Sequence, residues 1–274
     1  MNKSTILNIS LDDQVNKQNY RECFFKLLNS GNSKIFTVNP EFIVDAYFDS
    51  SFRGLLNKGD LNTIDGFGVS LFLKLKKLQS SGKSRLSIFN LYRKGQIKSG
   101  VLTGVDLVNI TLRIMNEEKL SLFLLGGSSE ENVSMLAAKQ IEIKYPNIKI
   151  IGYSSDFSFY PKDDHQTIKC IHQKMKEKSC KRIDVILVGY GHKKQEAWIG
   201  RNSSKIPANI SIGVGGTLDF LSGNVSRAPK LIRELGLEWL YRLILQPTRL
   251  PRILKAVILF PILVAFFDNK KSDS

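Results

Sequence analysis

Short runs of β-branched and apolar residues alternate along the chain with longer segments whose apolar positions recur at helical spacing. This alternation predicts βαβ units, and hence an α/β fold with a mostly parallel sheet and helices on both faces. The runs bounded by Ser121 to Leu125 and Asp184 to Val188 are continuously apolar, as a central strand buried on both faces requires. Strands are expected at TILNIS, KIFTV, LSLFLLG, IKIIG, IDVILVG and ISIGVGG, and helices at 14–28, 104–115, 130–144, 163–178 and 194–202.

The pattern changes at Arg227, where RAPKLIRELGLEWLYRLILQPTRLPR combines helical apolar spacing with a basic companion surface and several prolines. It predicts two parts, an α/β core over 1–226 and a C-terminal helical appendage over 227–274. The appendage is open to two interpretations, a terminal helix pair packed on the core or an interfacial anchor on anionic lipid, and its basic amphipathic character favours the anchor. The apolar run at 256–267 is shorter than the ~20 residues of a spanning helix, so we expect it to touch a membrane without crossing it.

Composition adds a strong positive charge to this outline. The 274 residues carry 40 Lys and Arg against 25 Asp and Glu, a net charge of +15, which predicts a surface that attracts polyanions. Nucleic acid is disfavoured, because the appendage arginines alternate with large apolar residues and no zinc or helix-turn-helix pattern accompanies them. Three cysteines without metal-type spacing indicate a reducing compartment. The polar, basic stretch at 79–99 predicts an insertion with a binding role.

Glycines and small polar residues follow five of the predicted strands, in TVNPE, DGFG, GGSSEE, GYGHKKQE and GVGGTLD. Ligands of parallel α/β sheets lie beyond the carboxyl ends of the strands, so these segments are the candidate site. In LFLLGGSSEEN, Ser128 or Ser129 is expected to cap a helix whose free N–H groups could bind a phosphate, although such residues also cap helices without any ligand. The candidate substrate-binding glycines are Gly126, Gly127, Gly189 and Gly191.

Other sequence motifs, present or absent, limit which cofactors and reactions are plausible. The Gly-x-Gly segments in ILVGYGHKKQEAW and IGVGGTLDFLSG do not complete Gly-x-Gly-x-x-Gly, since Lys194 and Leu218 occupy the final positions, and this disfavours a nicotinamide cofactor. His192 has no partner carboxylate in its motif and is interpreted as a polar loop residue. Gln195 and Glu196 are expected to begin the next helix, where they could complement its dipole or turn into the cleft and bind sugar hydroxyls.

The sequence contains no Asp-x-Asp, P-loop or Gly-x-Ser-x-Gly motif. We therefore expect no metal, and we expect any diphosphate to be neutralised by amides and by Arg or Lys.

Asp65, in LNTIDGFGVS, has two interpretations. Asp-Gly is a common turn dipeptide, which makes a purely structural role the simple explanation. Its position favours chemistry, because it ends a short strand-like run and precedes a helix on which Phe67, Val69 and Leu71 can pack. A carboxylate placed there would point into the cleft and could act as a general base.

The motifs FTVNPEFIVDAYFDSSF, TIDGFGVSLF, TGVDLV, LFLLGGSSEEN, IDVILVGYGHKKQEAWI and IGVGGTLDFLSGNVSRAPKLIRELGLEWLYRL, in this order, closely resemble the bacterial WecG/TagA/CpsF glycosyltransferase family. The resemblance runs from about the first strand to Arg252. It implies a Rossmann-like core that transfers N-acetylmannosamine, its uronic acid or a related hexose from a UDP-sugar, with inversion, to a polyprenyl-diphosphate-linked sugar. It further implies a peripheral enzyme on the cytoplasmic face of the cell membrane that needs no metal or other cofactor. The sequence leaves open whether the chain forms a homo-oligomer.

The resemblance also assigns roles to individual residues. The family's proposed base falls on Asp65, its Thr-x-Asn motif on Thr37 and Asn39, and its polar glutamine on Gln195. The appendage arginines expected to reach the diphosphate are Arg242, Arg249 and Arg252.

This sequence departs from the family pattern at three places. Lys193 stands where the family often has proline, which predicts a looser loop, and Asp156 stands where glycine is common, at the expected rim of the donor site. The basic insertion at 79–99 is the third departure. Two alternatives remain at this level, a non-catalytic protein that binds nucleotide or anionic lipid and, less favoured, an NAD-dependent oxidoreductase.

Overall fold

A computed structural model describes residues 3–81, 101–156, 158–229, 232 and 238–268. Most of the predicted insertion, residues 82–99, lies outside the described residues. The described chain begins with an antiparallel pair, β1 (Ser4–Ile6) and β2 (Ile9–Leu11). The expected single strand TILNIS is therefore a tight hairpin, because Leu7 and Asn8 adopt positive φ angles of 48° and 64° and reverse the chain.

The main sheet has six parallel strands in the order β4-β3-β8-β7-β5-β6, which confirms the predicted α/β class. The strands are β3 (Ser33–Val38), β4 (Leu61–Ile64), β5 (Ser121–Gly126), β6 (Lys149–Ser154), β7 (Ile183–Gly189) and β8 (Ala208–Gly213). In β5, Leu122 and Leu124 face one core cluster while Phe123 and Leu125 face the other. This explains the unbroken apolar run, since both faces of the strand are covered.

Helices connect the strands and cover both faces of the sheet. Their bounds are α1 (Tyr20–Ser30), α2 (Pro40–Phe48), α3 (Ser50–Asn57), α4 (Phe67–Ser80), α5 (Gly104–Glu117), α6 (Val133–Lys144), α7 (Asp164–Glu177), α8 (Lys194–Asn202), α9 (Thr217–Ser222) and α10 (Glu238–Leu245). Three of them begin at side-chain caps: Asn39 accepts from the Phe42 N–H, Asp49 from that of Phe52, and Thr103 from that of Asp106.

The structure shifts two predicted helix starts. Helix α1 begins at Tyr20 rather than at residue 14, because Asn16 and Asn19 hold the preceding residues in a side-chain-bonded turn. Helix α6 begins at Val133 rather than at residue 130, after Asn132 in the left-handed region at φ 50°. In both cases the periodic apolar pattern begins several residues before the first residue of the helix.

The C-terminal segment is helical from Pro247 to Phe267, including α11 (Leu250–Leu254), a π-helical turn (Lys255–Leu259) and α12 (Phe260–Phe267). These 21 residues are long and apolar enough to cross a membrane by length and composition. The sequence-based expectation of a shorter segment considered only the unbroken apolar run at 256–267. The helix starts a few turns earlier, at Pro247, and includes Arg249 and Arg252.

This helix packs on the sheet domain along its length. Phe260, Leu263 and Val264 are buried in the core cluster, and the Phe260 ring meets that of Phe72 on α4 edge-on, with centroids 5.3 Å apart. At its end, the Asp268 carboxylate accepts from the Leu7 N–H at 2.6 Å and from Lys76 Nζ at 2.9 Å. The helix is therefore attached to both α4 and the β1–β2 hairpin.

Candidate active site

All five of the glycine-rich or polar segments singled out in the sequence leave the same edge of the sheet, because β3, β4, β5, β7 and β8 run parallel. Strands β5 and β7 are neighbours, but the chain passes from β5 outward to β6 and from β7 in the opposite direction to β8. Such a reversal leaves a crevice between the two departing loops, and ligands of open α/β sheets bind there.

The loops after β5 and β7 contact each other at this reversal. The Gly127 N–H donates to the Gly189 carbonyl at 3.1 Å. A Cβ on Gly126 would lie 2.8 Å from the carbonyl carbon of Gly189, and Gly126 also has φ +95°. A larger side chain is excluded on both counts, so a glycine is needed at 126 for the close approach of the two loops.

A groove of about 530 Å³ lies above this contact. Its walls come from the loops after β5, β6, β7 and β8, and Arg249 and Arg252 of the C-terminal helix complete it. The lining residues from the sheet domain are mostly small or polar, with Phe159 and Tyr190 as the aromatic exceptions: Gly127, Ser128, Ser129, Ser155, Asp156, Ser158, Phe159, Gly189, Tyr190, Gly191, Gly215, Gly216 and Asp219. The groove thus combines hydrogen-bonding groups with two guanidinium groups.

The two serines of the β5–α6 loop do not cap the helix as expected. Ser128 Oγ accepts from the Glu131 N–H at 3.3 Å within a turn that precedes α6, and Ser129 belongs to the same turn. Because that turn separates them from the helix, both serines line the groove directly.

Gln195 and Glu196 lie at the start of α8, as expected, and both are buried, at 2% and 0% exposure. Gln195 Nε2 donates to Glu196 Oε1 at 2.7 Å, and Gln195 Oε1 accepts from the Gly215 N–H at 2.7 Å. Gly215 lines the groove, so Gln195 connects Glu196 to the groove wall. Burial raises the pKa of Glu196 to about 8, which keeps its carboxyl group protonated at neutral pH.

His192 has a carboxylate partner that the sequence did not reveal. Its Nε2 lies 2.7 Å from Oδ2 of Asp45 on α2, and its ring packs on Phe42 and Phe52. Burial lowers the pKa of His192 despite the nearby Glu41 and Asp45 carboxylates, so the imidazole is neutral at neutral pH. Enclosed in this way, His192 anchors its loop.

The neighbouring Lys193 corrects the expectation of a loose loop. It adopts φ +65°, which proline cannot reach, so this loop follows a path that a proline at 193 would exclude. Lys193 Nζ also pairs with Asp49 Oδ2 at 2.8 Å. Two consecutive side chains therefore attach the loop to α2 and to the cap of α3.

The C-terminal helix meets α2 through two further ion pairs. Arg252 contacts both oxygens of Glu41, at 2.8 and 2.9 Å, and Lys255 Nζ donates to Asp45 Oδ1 at 2.7 Å. Hydrogen bonds from Lys255 and His192 outweigh the effect of burial and lower the pKa of Asp45. Glu41, Asp45 and His192 are close enough to share a metal ion, but both carboxylates are already paired with cations of the helix.

The remaining candidates lie at the other end of the same edge. The Asp65 N–H donates to the Val38 carbonyl at 2.9 Å, which holds the end of β4 beside the end of β3. Thr37 is buried, and its Oγ1 faces Gly104 at the start of α5. Asn39 uses its side-chain oxygen to cap α2. The edge therefore has two regions, the groove beyond β5–β8 and a second region around Asp65.

The three appendage arginines differ in what the structure describes. Arg249 and Arg252 line the groove. Arg242 belongs to α10, but its side chain lies outside the described part of the structure. Glu41 and Asp45, which orient the helix, were missed because nothing in their own segment marks them; their partners are more than 140 residues away.

The fold and the groove define an α/β protein whose ligand-binding groups converge on the carboxyl edge of one parallel sheet. The family model described as "Glycosyl transferase WecG/TagA/CpsF family" matches residues 87–273. The chain therefore belongs to the WecG/TagA/CpsF family, and it is a glycosyltransferase. This confirms the resemblance and rules out both the non-catalytic and the oxidoreductase alternatives.

Two curated relatives carry the same name, N-acetylglucosaminyldiphosphoundecaprenol N-acetyl-beta-D-mannosaminyltransferase. The relative from Bacillus subtilis (strain 168) is 33% identical over 222 residues, which cover 80% of this chain and 74% of the relative. The relative from Staphylococcus aureus (strain MRSA252) is 27% identical over 270 residues, covering 98% of this chain and 94% of the relative. The similarity therefore includes both the sheet domain and the C-terminal helix.

The buried Glu196 generates a prediction about stability and pH. Its pKa is higher in the folded than in the unfolded chain, so the unfolded state loses this proton first as the pH rises. The free energy of unfolding of the wild type should fall by a few kcal/mol between about pH 5 and pH 8, relative to Glu196→Gln, which cannot ionise. Urea denaturation at several pH values measures the difference.

The exposed Glu142 on α6 supplies the control, because Glu142→Gln should leave the pH dependence of the wild type unchanged. Parallel stability curves for wild type and Glu196→Gln would contradict the assignment of a protonated Glu196.

Proposed function

We propose that the chain transfers N-acetylmannosamine, its uronic acid or a related hexose from a UDP-sugar to a polyprenyl-diphosphate-linked sugar, with inversion at the anomeric carbon. The observation that carries the proposal is the groove at the strand reversal with Arg249 and Arg252 on its wall. The relatives' shared name supports it, since it specifies an N-acetylmannosaminyl group and a diphosphoundecaprenol-linked acceptor.

The groove suits the donor in size and in chemistry. Its volume of about 530 Å³ lies within the range of small-molecule sites. The guanidinium groups can pair with the diphosphate, and the glycine and serine segment after β5 allows close approach of its backbone to phosphate oxygens. Arginine keeps its charge at all relevant pH values, so in this proposal it replaces the divalent cation that many nucleotide-sugar enzymes use. Gln195 fixes the Gly215 amide in the wall beside them.

In the proposed reaction Asp65 is the base. An acceptor hydroxyl oxygen attacks the anomeric carbon of the donor, the bond from that carbon to the UDP oxygen breaks, and UDP leaves with the bonding electron pair. The hydroxyl proton passes to the Asp65 carboxylate at the end of β4, so in this proposal the acceptor hydroxyl lies within hydrogen-bonding distance of Asp65. Thr37 and Asn39 would orient the acceptor; the Asn39 oxygen is engaged by the Phe42 N–H, so its amide nitrogen is the group that can donate.

The outer face of the C-terminal helix supplies the proposed membrane contact. Every fourth residue on this face is apolar and between 45% and 64% exposed: Leu250, Leu254, Ile258, Ile262 and Phe266. The opposite face is held on the domain by Phe260 and by the ion pairs to α2. A helix attached along one side and apolar along the other can lie in the membrane interface. We therefore propose a peripheral enzyme on the cytoplasmic face, where the net charge of +15 favours anionic lipid.

In this arrangement residues 1–226 contain the donor groove and the base, and residues 227–274 supply the arginines and the membrane face. The lipid-linked acceptor would then approach Asp65 from the membrane side.

The direct test of the base is Asp65→Asn, which keeps the size of the side chain but cannot take a proton. Turnover should fall by about a hundredfold or more, the usual contribution of a general base, while UDP affinity stays within about twofold. The assay is transfer of radiolabelled sugar from a panel of UDP-hexoses to a synthetic lipid-diphosphate-sugar. Turnover near that of the wild type would refute the assignment, and no transfer by the wild type from any UDP-hexose would refute the donor class.

The membrane contact is tested with Ile258→Glu and Ile262→Glu together. Two carboxylates on the apolar face should weaken binding to vesicles of anionic phospholipid by about tenfold or more, since burial of each isoleucine is lost. Sedimentation with vesicles measures the change. The single variant Ile258→Glu is compared with a matched control, Ile143→Glu, which introduces the same charge at a 76% exposed isoleucine on α6 and should bind like the wild type. Equal losses in both variants would show that charge alone, and not this face, governs binding.

A further inference from the structure

The side chain of Asp45 contacts two separate parts of the protein, the loop after β7 and the C-terminal helix. One oxygen, Oδ2, lies 2.7 Å from His192 Nε2 in the loop after β7. The other, Oδ1, accepts from Lys255 Nζ of the C-terminal helix, also at 2.7 Å. Asp45 and His192 side chains are only 14% and 12% exposed, so solvent screens their contact weakly.

On the loop side, the contact of His192 with Asp45 helps to hold one wall of the groove. Tyr190 and Gly191, immediately before it, line the groove. Gly191 has φ +88°, and a Cβ added there would meet no atom within 4 Å, so the loop has no close packing of its own at this residue. The loop backbone is also held by the Gly127 N–H on the Gly189 carbonyl and by the Gln195 N–H on the Gly191 carbonyl. Of the two side-chain attachments that follow Gly191, the His192–Asp45 contact is more deeply buried than the Lys193–Asp49 pair.

On the helix side, Lys255 lies one turn after Arg252, and both face α2. Arg252 pairs with Glu41 and Lys255 with Asp45, so two acidic residues one turn apart on α2 match two basic residues one turn apart on the helix. Arg252 also lines the groove. The position of Lys255 on Asp45 is therefore tied to the position of the arginine on the groove wall.

We infer that Asp45 is a positioning residue that couples the seating of the C-terminal helix to the groove loop formed by residues 189–193. When Lys255 leaves Asp45, the carboxylate loses its fixed direction, and the hydrogen bond that holds His192 weakens. Helix and loop then move together, so the two walls of the groove form or loosen as one unit. The coupling itself needs no ligand; its consequence for UDP binding rests on the proposed donor site.

Hydrogen exchange of the full-length protein tests the coupling without any ligand. Lys255→Met keeps the length of the side chain and removes its charge, and it should raise the exchange rate of the 189–193 segment by about tenfold. In a chain that also carries Asp45→Ala, the same substitution should change this rate by less than about twofold, because the connection is already broken.

The matched control releases the other end of the same helix. Lys76→Met removes the ion pair with Asp268, which involves neither Asp45 nor His192, and should leave exchange in the 189–193 segment within about twofold of the wild type. An unchanged loop in Lys255→Met, or an equal increase in Lys76→Met, would overturn the inference.

A cycle with His192→Phe keeps the test valid if Asp45→Ala fails to fold. Phenylalanine preserves the packing on Phe42 and Phe52 but loses the contact with Asp45. In the native Asp45 background, His192→Phe and Lys255→Met together should raise loop exchange no more than about twofold beyond the larger single effect, whereas independent effects would multiply. Multiplying effects would contradict the coupling. Asp45→Asn, which can still form hydrogen bonds with both His192 and Lys255, should retain part of the coupling between the helix and the loop.

Calorimetric titration with UDP gives the functional arm. Lys255→Met and His192→Phe should each weaken UDP binding, and the double variant should be no weaker than the weaker single variant by more than about twofold. Multiplicative losses in UDP affinity would overturn the inference. If the wild type binds no UDP, the proposed donor is wrong, and the exchange experiment still decides the coupling.

Discussion

All six strands of the main sheet run in the same direction, and the rest of the site depends on this constraint. Parallel strands place every strand-to-helix loop at one edge, so chemistry from six distant segments of the chain gathers there. The reversal between β5 and β7 then opens the groove, and the glycine at 126 lets its two loops touch. The sheet alone, however, presents almost no positive charge to the groove; Arg249 and Arg252 come from the helix that returns across α2.

The two faces of that C-terminal helix have different roles in the proposed enzyme. Its inner face is fixed by the buried Phe260 and by the pairs of Arg252 with Glu41 and Lys255 with Asp45. Its outer face is an exposed apolar stripe. The residues that would touch lipid and those that complete the groove therefore lie on one rigid element. In the proposed arrangement, the position of the helix on the domain would set the distance between the membrane and the donor site. Asp45 connects the same helix to the loop wall of the groove.

Much of the edge could be predicted from the sequence, because its signals are local. A continuously apolar run that ends in glycine predicts a central strand, and this prediction was confirmed for β5 and β7. Local signals failed where backbone conformation decides. Leu7 and Asn8 have positive φ angles, so a run that resembles one strand forms a hairpin. The turn before Asn132 delays the start of α6, so the two serines line the groove and do not cap the helix.

Long-range contacts could not be predicted, since they leave no trace in either partner's own segment. His192 lacks a carboxylate within its motif, yet Asp45 lies 2.7 Å away across 147 positions of sequence. Lys193 in place of proline suggested a loose loop, but its pairing with Asp49 is visible only in three dimensions.

The central claim is that the groove at the strand reversal holds the donor, with its diphosphate between the β5 loop and the arginines of the C-terminal helix. A crystal structure of the full-length chain soaked with UDP tests it most directly. The account predicts the diphosphate within hydrogen-bonding distance of the Gly127–Ser128 backbone and of Arg249 or Arg252. UDP bound instead beside Asp65 at the ends of β3 and β4, with the groove empty, would contradict it.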